Sequence, residues 1–191
     1  MSMRIILASS SPRRRELLEG LKVRNLEIIP ARGRELPHPE LAPVELVREL
    51  ARAKAQEIAE NNPDAVVIGA DTVVSVDGTV LGKPVSESDA GRMLSLLSGR
   101  SHEVLTGVCV IKNGAAQSFV ERTVVHFREI DRDEITAYIE SGEPLDKAGA
   151  YGIQGLGKLF VAGIEGDFFN VMGLPVCRLG LILKALGVKL L

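Results

Sequence analysis

VVIGADTVV, at residues 66–74, is the segment around which this chain is organised. A run this rich in Val and Ile predicts a strand that is buried on both faces of a sheet. Its one acidic residue, Asp71, would be costly there unless it were hydrogen-bonded, paired with a cation or bound to a metal ion. Asp71 is therefore either a strand-end residue that caps a turn or a catalytic or metal-binding carboxylate, and the rest of the chain bears on that choice.

Length and composition are those of a soluble globular protein. The 191 residues, 46% hydrophobic and 25% charged, suit a single domain that can contain two lobes. A net charge of −2 offers no basic field for nucleic acid. The apolar run near the N-terminus is too short for a signal sequence or a membrane span. Cys109 and Cys177 stand in apolar settings without metal-ligand spacing, so we expect reduced core thiols in a cytoplasmic protein.

A strand, a serine-rich turn and a helix follow one another near the start of the chain. Residues 4–8 predict the strand, and the helix has Ser11 as its N-cap, Pro12 in its first position and Gly20 at its end. The free N–H groups and positive dipole at that N-terminus suit an anion. An anion would also relieve the conflict between the dipole and residues 13–15, which are all arginine. The alternative is a solvated basic turn, and the segment lacks the glycines and lysine of a Walker loop.

Two lysines are positioned by the elements around the central strand. A predicted helix over Pro43–Glu60 has Lys54 on its apolar stripe, where the side chain either extends to solvent or reaches into a pocket. The Asp-Gly pair at 77–78 predicts a tight hairpin after the central strand, and its return arm leads to Lys83. A short rigid ribbon therefore tethers Lys83 to Asp71.

The remaining elements complete an α/β pattern. Further strands are predicted at 26–30, 103–111, 117–127 and 159–164, and further helices at 86–97, 131–141 and 175–186. This order predicts an α/β fold with a mixed sheet. Residues 142–157 contain five glycines, with Gln154 between two of them, and favour close approach to a ligand or tight packing.

The polar residues that stand out suit a polyphosphate together with a divalent metal. Cations neutralise phosphate oxygens, while carboxylates hold Mg²⁺ or Mn²⁺ and activate water. The candidate cations are Arg13, Arg14, Lys54 and Lys83, and the candidate carboxylates are Asp71, Glu35 and Asp146. No Cys, His or Ser constellation offers a covalent nucleophile, and His102 and His126 are interpreted as structural or surface residues. The residues alone thus predict a phosphate-handling α/β enzyme.

Five segments in order resemble the Maf family over nearly the whole chain. They are LASSSPRR at 7–14, GADT at 69–72, LGKP at 81–84, the LSG, His and TG pattern at 97–107, and the glycine-rich residues 142–157. The resemblance implies a nucleoside triphosphate pyrophosphatase that releases the monophosphate and pyrophosphate with a divalent cation. It also implies a single domain over 1–191, with a mixed twisted sheet, flanking helices and two lobes around a central cleft. Such a fold is similar to that of the inosine triphosphate pyrophosphatases.

The resemblance also implies roles for individual residues. Asp71 would be the general base and, with Glu35, a metal ligand, and Lys54 and Lys83 would join them in catalysis. The residues implied in substrate binding are Ser9, Arg13, Arg14, Thr72 and Gln154, of which Arg13, Thr72 and Gln154 would select the base. Arg34-Glu35 departs from the carboxylate pair that is usual in the family at this place.

The YGIQG form at residues 151–155 resembles the subgroup that acts on dTTP and UTP. The subgroup that acts on 7-methyl-GTP has an acidic residue where Gln154 stands. Two alternatives stay open: a septum-formation regulator that acts through a protein partner, and a pyrophosphatase for 7-methyl-GTP or other modified nucleotides. Similar proteins are commonly homodimers, so we expect a homodimer that binds a nucleoside triphosphate, without nucleic acid or membrane.

Overall fold

The computed structural model describes residues 3–33 and 41–190, and their elements alternate as an α/β pattern requires. The strands are β1 (Ile5–Leu7), β2 (Leu26–Ile28), β3 (Val66–Val76), β4 (Thr79–Leu81), β5 (Ser101–Lys112), β6 (Ala115–Phe127) and β7 (Val161–Glu165). The α-helices are α1 (Pro12–Gly20), α2 (Pro43–Ala59), α3 (Glu87–Leu97), α4 (Arg132–Glu140), α5 (Phe168–Met172) and α6 (Val176–Ala185). Short 3₁₀ turns occupy Glu143–Asp146, Ala148–Ala150 and Leu156–Phe160.

The seven strands form one mixed sheet, which confirms the predicted α/β class. Six strands follow the order β2-β1-β3-β5-β6-β7, and β4 pairs with β3. Strand β1 is parallel to both β2 and β3, whereas the β3–β4 and β6–β7 pairs are antiparallel. Both predicted hairpin turns are present, with positive φ at Asp77 and Gly78 (50° and 77°) and at Asn113 and Gly114 (50° and 77°). Positive φ at both central residues is the signature of the tight hairpin turn that matches strand twist.

The chain forms two compact units, each with its own apolar core. The first unit takes its described residues from Met1–Asp71, Thr106–Glu121 and Gly173–Leu191, and the second from Thr72–Leu105 and Arg122–Met172. In the first unit the two faces of β1 and β3 lie in different clusters, with Ile68 among residues of α6 and Val67 among residues of α2. This arrangement confirms that the central strand is buried on both faces.

Local signals at the helix ends also behave as predicted. The Ser11 side chain accepts a hydrogen bond from the N–H of Arg14, as an N-cap does. Asp131 and Glu134 form a reciprocal capping box at the start of α4. No helix among the described residues is both long enough and apolar enough to cross a membrane.

Two local predictions are wrong. Cys177, predicted to be a core thiol, is exposed on α6, because the buried side of that helix is formed by Leu179, Ile182 and Leu183. Cys109 is buried as predicted. The segment before α6, predicted to consist of turns, contains the short helix α5, where residues 168–172 provide buried Met172 but too few residues for a visible helical period.

A buried histidine lies among aromatic rings in the second unit. His102 is 2% exposed, and its ring meets Phe127 at 4.8 Å and Tyr151 at 5.3 Å, both edge-to-face. Its Nε2 lies 2.8 Å from the hydroxyl of Tyr151, while its buried Nδ1 has no hydrogen-bond partner in the described part of the chain. Burial, assisted by the charge of His126, lowers the pKa of His102 to about 4. The ring is therefore neutral at pH 7 and belongs to the core.

Folding stability should fall as the pH drops from about 6.5 to about 4, because His102 takes up a proton more readily in the unfolded chain. The shift corresponds to about 3 kcal/mol, all of it present above pH 6.5. Denaturant unfolding at pH 7.5 and pH 4 measures this loss. The matched variant His102→Phe/Tyr151→Phe keeps the ring contacts without the titrating group. It should lose about 3 kcal/mol less than the wild type, and an equal loss in both proteins would contradict the prediction.

Candidate active site

Asp71 is paired with a lysine. The Nζ of Lys54, on α2, donates to Oδ1 of Asp71, on β3, at 2.5 Å, and the two side chains are 20% and 13% exposed. The pairing supplies the partner that an acid in an apolar strand requires. Partial burial strengthens the attraction because the surrounding dielectric is lower than that of water. The helical position of Lys54 allowed its side chain to extend to solvent or to reach into a pocket. The side chain reaches inward, to Asp71.

Backbone packing at glycine sets the position of this pair. A Cβ on Gly69 would overlap the carbonyl oxygen of Ala51 and would lie 2.7 Å from the amide nitrogen of Ala55, so the backbone of α2 rests directly on β3. Lys54 lies between those two alanines. Asp71 follows Gly69 by two residues and shares its face of the strand. The glycine thus brings the helix close enough for Lys54 to reach Asp71.

Arg14 connects the serine turn to the same strand. It is 8% exposed, and its Nε donates to the carbonyl of Gly173 at 2.8 Å. Its Nη1 donates to Oγ of Ser9 at 3.1 Å and to the carbonyl of Ala70 at 2.9 Å. Ala70 immediately precedes Asp71, so the guanidinium supports the backbone beside that acid. Phosphate contact by Arg14 and by Ser9 stays a prediction.

The first turn of α1 retains its cationic character. It contains no acidic residue, and Arg13 is half-buried there. The Ser9 hydroxyl accepts from the N–H of Ser11 at 3.3 Å, which closes the turn that leads into the helix. An anion at this N-terminus would find backbone N–H groups and a positive dipole together.

The other predicted site residues with described positions lie in the second unit. Thr72 is half-buried in β3, whereas Lys83 and Gln154 are exposed. The carbonyl of Gly82 accepts the N–H of Gly149 at 3.0 Å, which ties the Lys83 segment to the glycine-rich segment. In the described part of the chain, no hydrogen bond joins Lys83 to Gln154. The structure therefore brings Ser9, Arg14, Lys54 and Asp71 together within the first unit, while Lys83 and Gln154 lie on separate turns of the second.

Asp71 is the predicted metal ligand that lies among the described residues. Glu35, the predicted second metal ligand, lies outside the described residues. Among residues 3–33 and 41–190, no group of three or more His, Cys, Asp or Glu side chains could hold a metal ion. A single carboxylate such as Asp71 nonetheless fits Mg²⁺, which commonly binds one or two protein carboxylates and completes its shell with water and substrate phosphates. The described donors fit such a shared site and do not fit an all-protein cage.

Two carboxylates that sequence reasoning missed hold loop backbone in place. Glu57, on α2, accepts the N–H groups of Arg32 and Gly33 at 2.7 and 2.9 Å. These backbone hydrogen bonds, foremost that from Arg32, lower the pKa of Glu57. Glu143 holds the glycine-rich segment that contains Gln154. Its place among the glycines of residues 142–157 was the available signal for Glu143, whereas no sequence motif pointed to Glu57.

Together, the mixed sheet and an acid–lysine pair beside an arginine-anchored serine turn define an α/β protein equipped for phosphate chemistry. The family described as Maf-like protein matches residues 4–186. This chain belongs to the Maf family.

Relatives with similar sequences extend over nearly the full chain. A Bacillus cereus protein named dTTP/UTP pyrophosphatase is 50% identical over 185 residues, which are 97% of this chain and 96% of the relative. A Bacillus pumilus protein of the same name is 50% identical over 184 residues, 96% of this chain and 97% of the relative. Among solved structures, the Staphylococcus aureus Ham1 protein overlaps 65% of this chain and 71% of its own, at 13% identity and a TM-score of 0.47.

Proposed function

We propose that this protein hydrolyses dTTP and UTP to the monophosphate and pyrophosphate. The structural observation that carries the proposal is the largely buried Asp71–Lys54 pair, a carboxylate held by a cation and linked through Arg14 and Ala70 to a helix N-terminus suited to phosphate. The choice of substrate follows the relatives named dTTP/UTP pyrophosphatase, which are 50% identical along almost their entire length.

In the proposed reaction Asp71 accepts a proton from water as the water attacks the α-phosphorus. Lys54 orients the carboxylate through its hydrogen bond to Oδ1, while Arg13 and Lys83 neutralise charge on the phosphates and the departing pyrophosphate. Asp71, with Glu35, would hold a Mg²⁺ or Mn²⁺ ion, which when bound neutralises phosphate charge and polarises the attacked phosphorus. Arg14 takes no part in proton transfer. It supports Asp71 by donating a hydrogen bond to the carbonyl of the preceding residue, Ala70.

Selection of the base is proposed to depend on Gln154, with Thr72 and Arg13. An amide side chain donates through its NH₂ group and accepts through its carbonyl oxygen. Uracil and thymine present a carbonyl and an imide N–H side by side, so one Gln can pair with both groups. Cytosine has no imide N–H at that position. Gln154 is exposed and therefore accessible to a ligand.

A panel of nucleotides tests the proposal directly. Pyrophosphate release from UTP, dTTP, CTP and 7-methyl-GTP should be fastest with UTP and dTTP in the presence of Mg²⁺ or Mn²⁺. Faster release from 7-methyl-GTP than from UTP would favour the alternative substrate class. No release from any of the four would reject pyrophosphatase activity on these substrates.

Gln154→Glu should lower kcat/KM for UTP by about 10- to 100-fold, because the carboxylate cannot donate to the base carbonyl and leaves it facing a negative charge. The loss should be smaller for CTP. Cytosine has no imide N–H at N3, so it does not use the same donor and acceptor of Gln154. Gln117→Glu, a change of the same kind on the exposed part of β6, is the matched control and should behave as the wild type. Unchanged selectivity in Gln154→Glu would remove this residue from base recognition.

The resemblance and the two thiols support proposals for the cellular location and the oligomeric state. Cys109 and Cys177 are both free, as is usual in the reducing cytoplasm, where we place the protein. We propose a homodimer in solution, which sedimentation equilibrium measures. The net charge of −2 favours neither nucleic acid nor a membrane surface as partner.

A further inference from the structure

Gln154 is presented by a tight turn between two glycines. The N–H of Gly155 donates to the carbonyl of Gly152 at 3.2 Å, so Ile153 and Gln154 form the two corners of the turn. Gln154 is exposed, and its backbone carbonyl accepts from Nζ of Lys158 at 3.3 Å. The direction of the Gln154 side chain therefore depends on what holds the backbone on either side of this turn.

The carboxylate of Glu143 and the hydroxyl of Tyr138 hold the backbone on the two sides of this turn. Oε2 of Glu143 accepts the N–H of Leu156 at 2.8 Å, and its Oε1 accepts the N–H of Gly157 at 3.2 Å. The same Oε1 accepts the hydroxyl of Tyr138 at 2.8 Å. The Tyr138 oxygen in turn accepts the N–H of Gly152 at 3.1 Å. Glu143 and Tyr138 together bind backbone N–H groups before and after Gln154.

Gly155 and Gly157 are explained by contact with Glu143 and Tyr138, and Gly152 by contact with Lys147. A Cβ on Gly155 would overlap both carboxylate oxygens of Glu143, and a Cβ on Gly157 would lie 2.8 Å from the Tyr138 hydroxyl. A Cβ on Gly152 would lie 2.6 Å from Cε of Lys147. Of the two roles that the glycine pattern left open, tight packing accounts for these three residues.

Both holding side chains are themselves firmly placed. Tyr138 is 3% exposed on α4, and its ring packs edge-to-face on Phe160 at 5.0 Å. Glu143 begins a 3₁₀ turn, and its carbonyl accepts from Nζ of Lys147 at 2.7 Å. Burial raises the pKa of the Glu143 carboxyl, but the hydrogen bonds from Leu156, Tyr138 and Gly157 outweigh burial and the pKa lies below its ordinary value. The group is therefore ionised at pH 7 and accepts at both oxygens.

We propose that Glu143 and Tyr138 are positioning residues that fix Gln154 for selection of the pyrimidine base. The inference rests on the proposed function and assigns to that function two residues that do not touch the substrate. Recognition by a hydrogen-bonding side chain requires its direction to be maintained, and small misplacements of a recognition group lose much of the discrimination. A turn released from Glu143 would still present Gln154, but in many directions.

Glu143→Gln is the sharpest test, because it keeps the size of the side chain. The amide has one accepting oxygen in place of two and turns an NH₂ donor toward a backbone N–H. We expect the UTP-to-CTP ratio of kcat/KM to fall about tenfold through a higher KM for UTP. The kcat for UTP should stay within about twofold, because Glu143 holds the backbone around Gln154, whereas proton transfer is assigned to Asp71. Glu140→Gln, at the exposed end of α4, is the matched control and should retain the wild-type ratio.

Tyr138→Phe keeps the ring packing and removes only the hydroxyl, so it tests the same role in a variant that retains the core. Its UTP-to-CTP ratio should also fall, by less than that of Glu143→Gln. A wild-type ratio in both variants, or an equal fall in kcat for UTP and CTP with the ratio preserved, would overturn the positioning role alone. Failure of the wild type to release pyrophosphate from any nucleotide would instead overturn the proposed function, and the inference with it.

Discussion

Asp71→Asn is expected to lower pyrophosphate release from UTP by about 10²- to 10⁴-fold while leaving the fold intact. The amide cannot take a proton from the attacking water, and the loss of a general base has an effect of this size. Asn has the same shape and still offers an oxygen to Lys54, which now donates to Oδ1 at 2.5 Å. Steady-state kinetics give the loss in kcat, and thermal unfolding shows whether the fold is retained.

Asp64→Asn is the matched control for this experiment. Asp64 is an exposed acid of the same unit that pairs with Arg4 at 3.3 Å, so its charge can be removed at little cost. It should retain wild-type turnover. Near-normal turnover in Asp71→Asn would reject Asp71 as the base. An inactive Asp71→Asn protein that still rescued a division phenotype would favour the septum-formation alternative.

Gly69→Ala is expected to destabilise the protein by at least about 3 kcal/mol, or to prevent folding. The new methyl group would overlap the backbone carbonyl of Ala51 and meet the backbone nitrogen of Ala55 at 2.7 Å, so no side-chain rotation relieves the clash. Overpacking that must move backbone is among the costlier substitutions. Denaturant unfolding at pH 7 measures the loss.

The control is Gly20→Ala, at the last residue of α1, where a Cβ would meet nothing within 4 Å. That change should alter stability by no more than about 1 kcal/mol, since Ala is the better helix former. Any folded Gly69→Ala protein should also turn over more slowly, because α2 must move away from β3 and carry Lys54 away from Asp71. Wild-type stability in Gly69→Ala would contradict the direct contact of helix and strand backbones.

The order of the elements was predictable because its signals are local. Strand β3, the two hairpin turns and the caps at Ser11 and Asp131 each depend on residues within a few positions of one another. Local preferences of this kind determine the local structure wherever the packing of the core favours the same conformation. Helix α5 escaped prediction because five residues are too few to reveal a period.

The contacts that the site residues make with one another were not predictable from the sequence. Which residue types suit phosphate chemistry was evident from the chain, and so was the candidate set around Asp71. The pairing of that acid with Lys54 joins residues 17 positions apart, and the hydrogen bond from Arg14 to Gly173 joins residues 159 apart. Such contacts depend on how a helix and a strand pack, which the short-range pattern does not contain.

Sequence alone thus specified the α/β class, the element boundaries to within a few residues, the family, and the acid, lysines and glutamine to be considered. Tertiary structure alone decided that Gly69 brings α2 onto β3, that Arg14 supports the Ala70 backbone, and that Glu143 holds the turn before and after Gln154. The physical reason is the separation along the chain over which each kind of interaction acts. Caps, turns and periodicity act between near neighbours in the chain, whereas burial and close packing are properties of surfaces that meet only after folding.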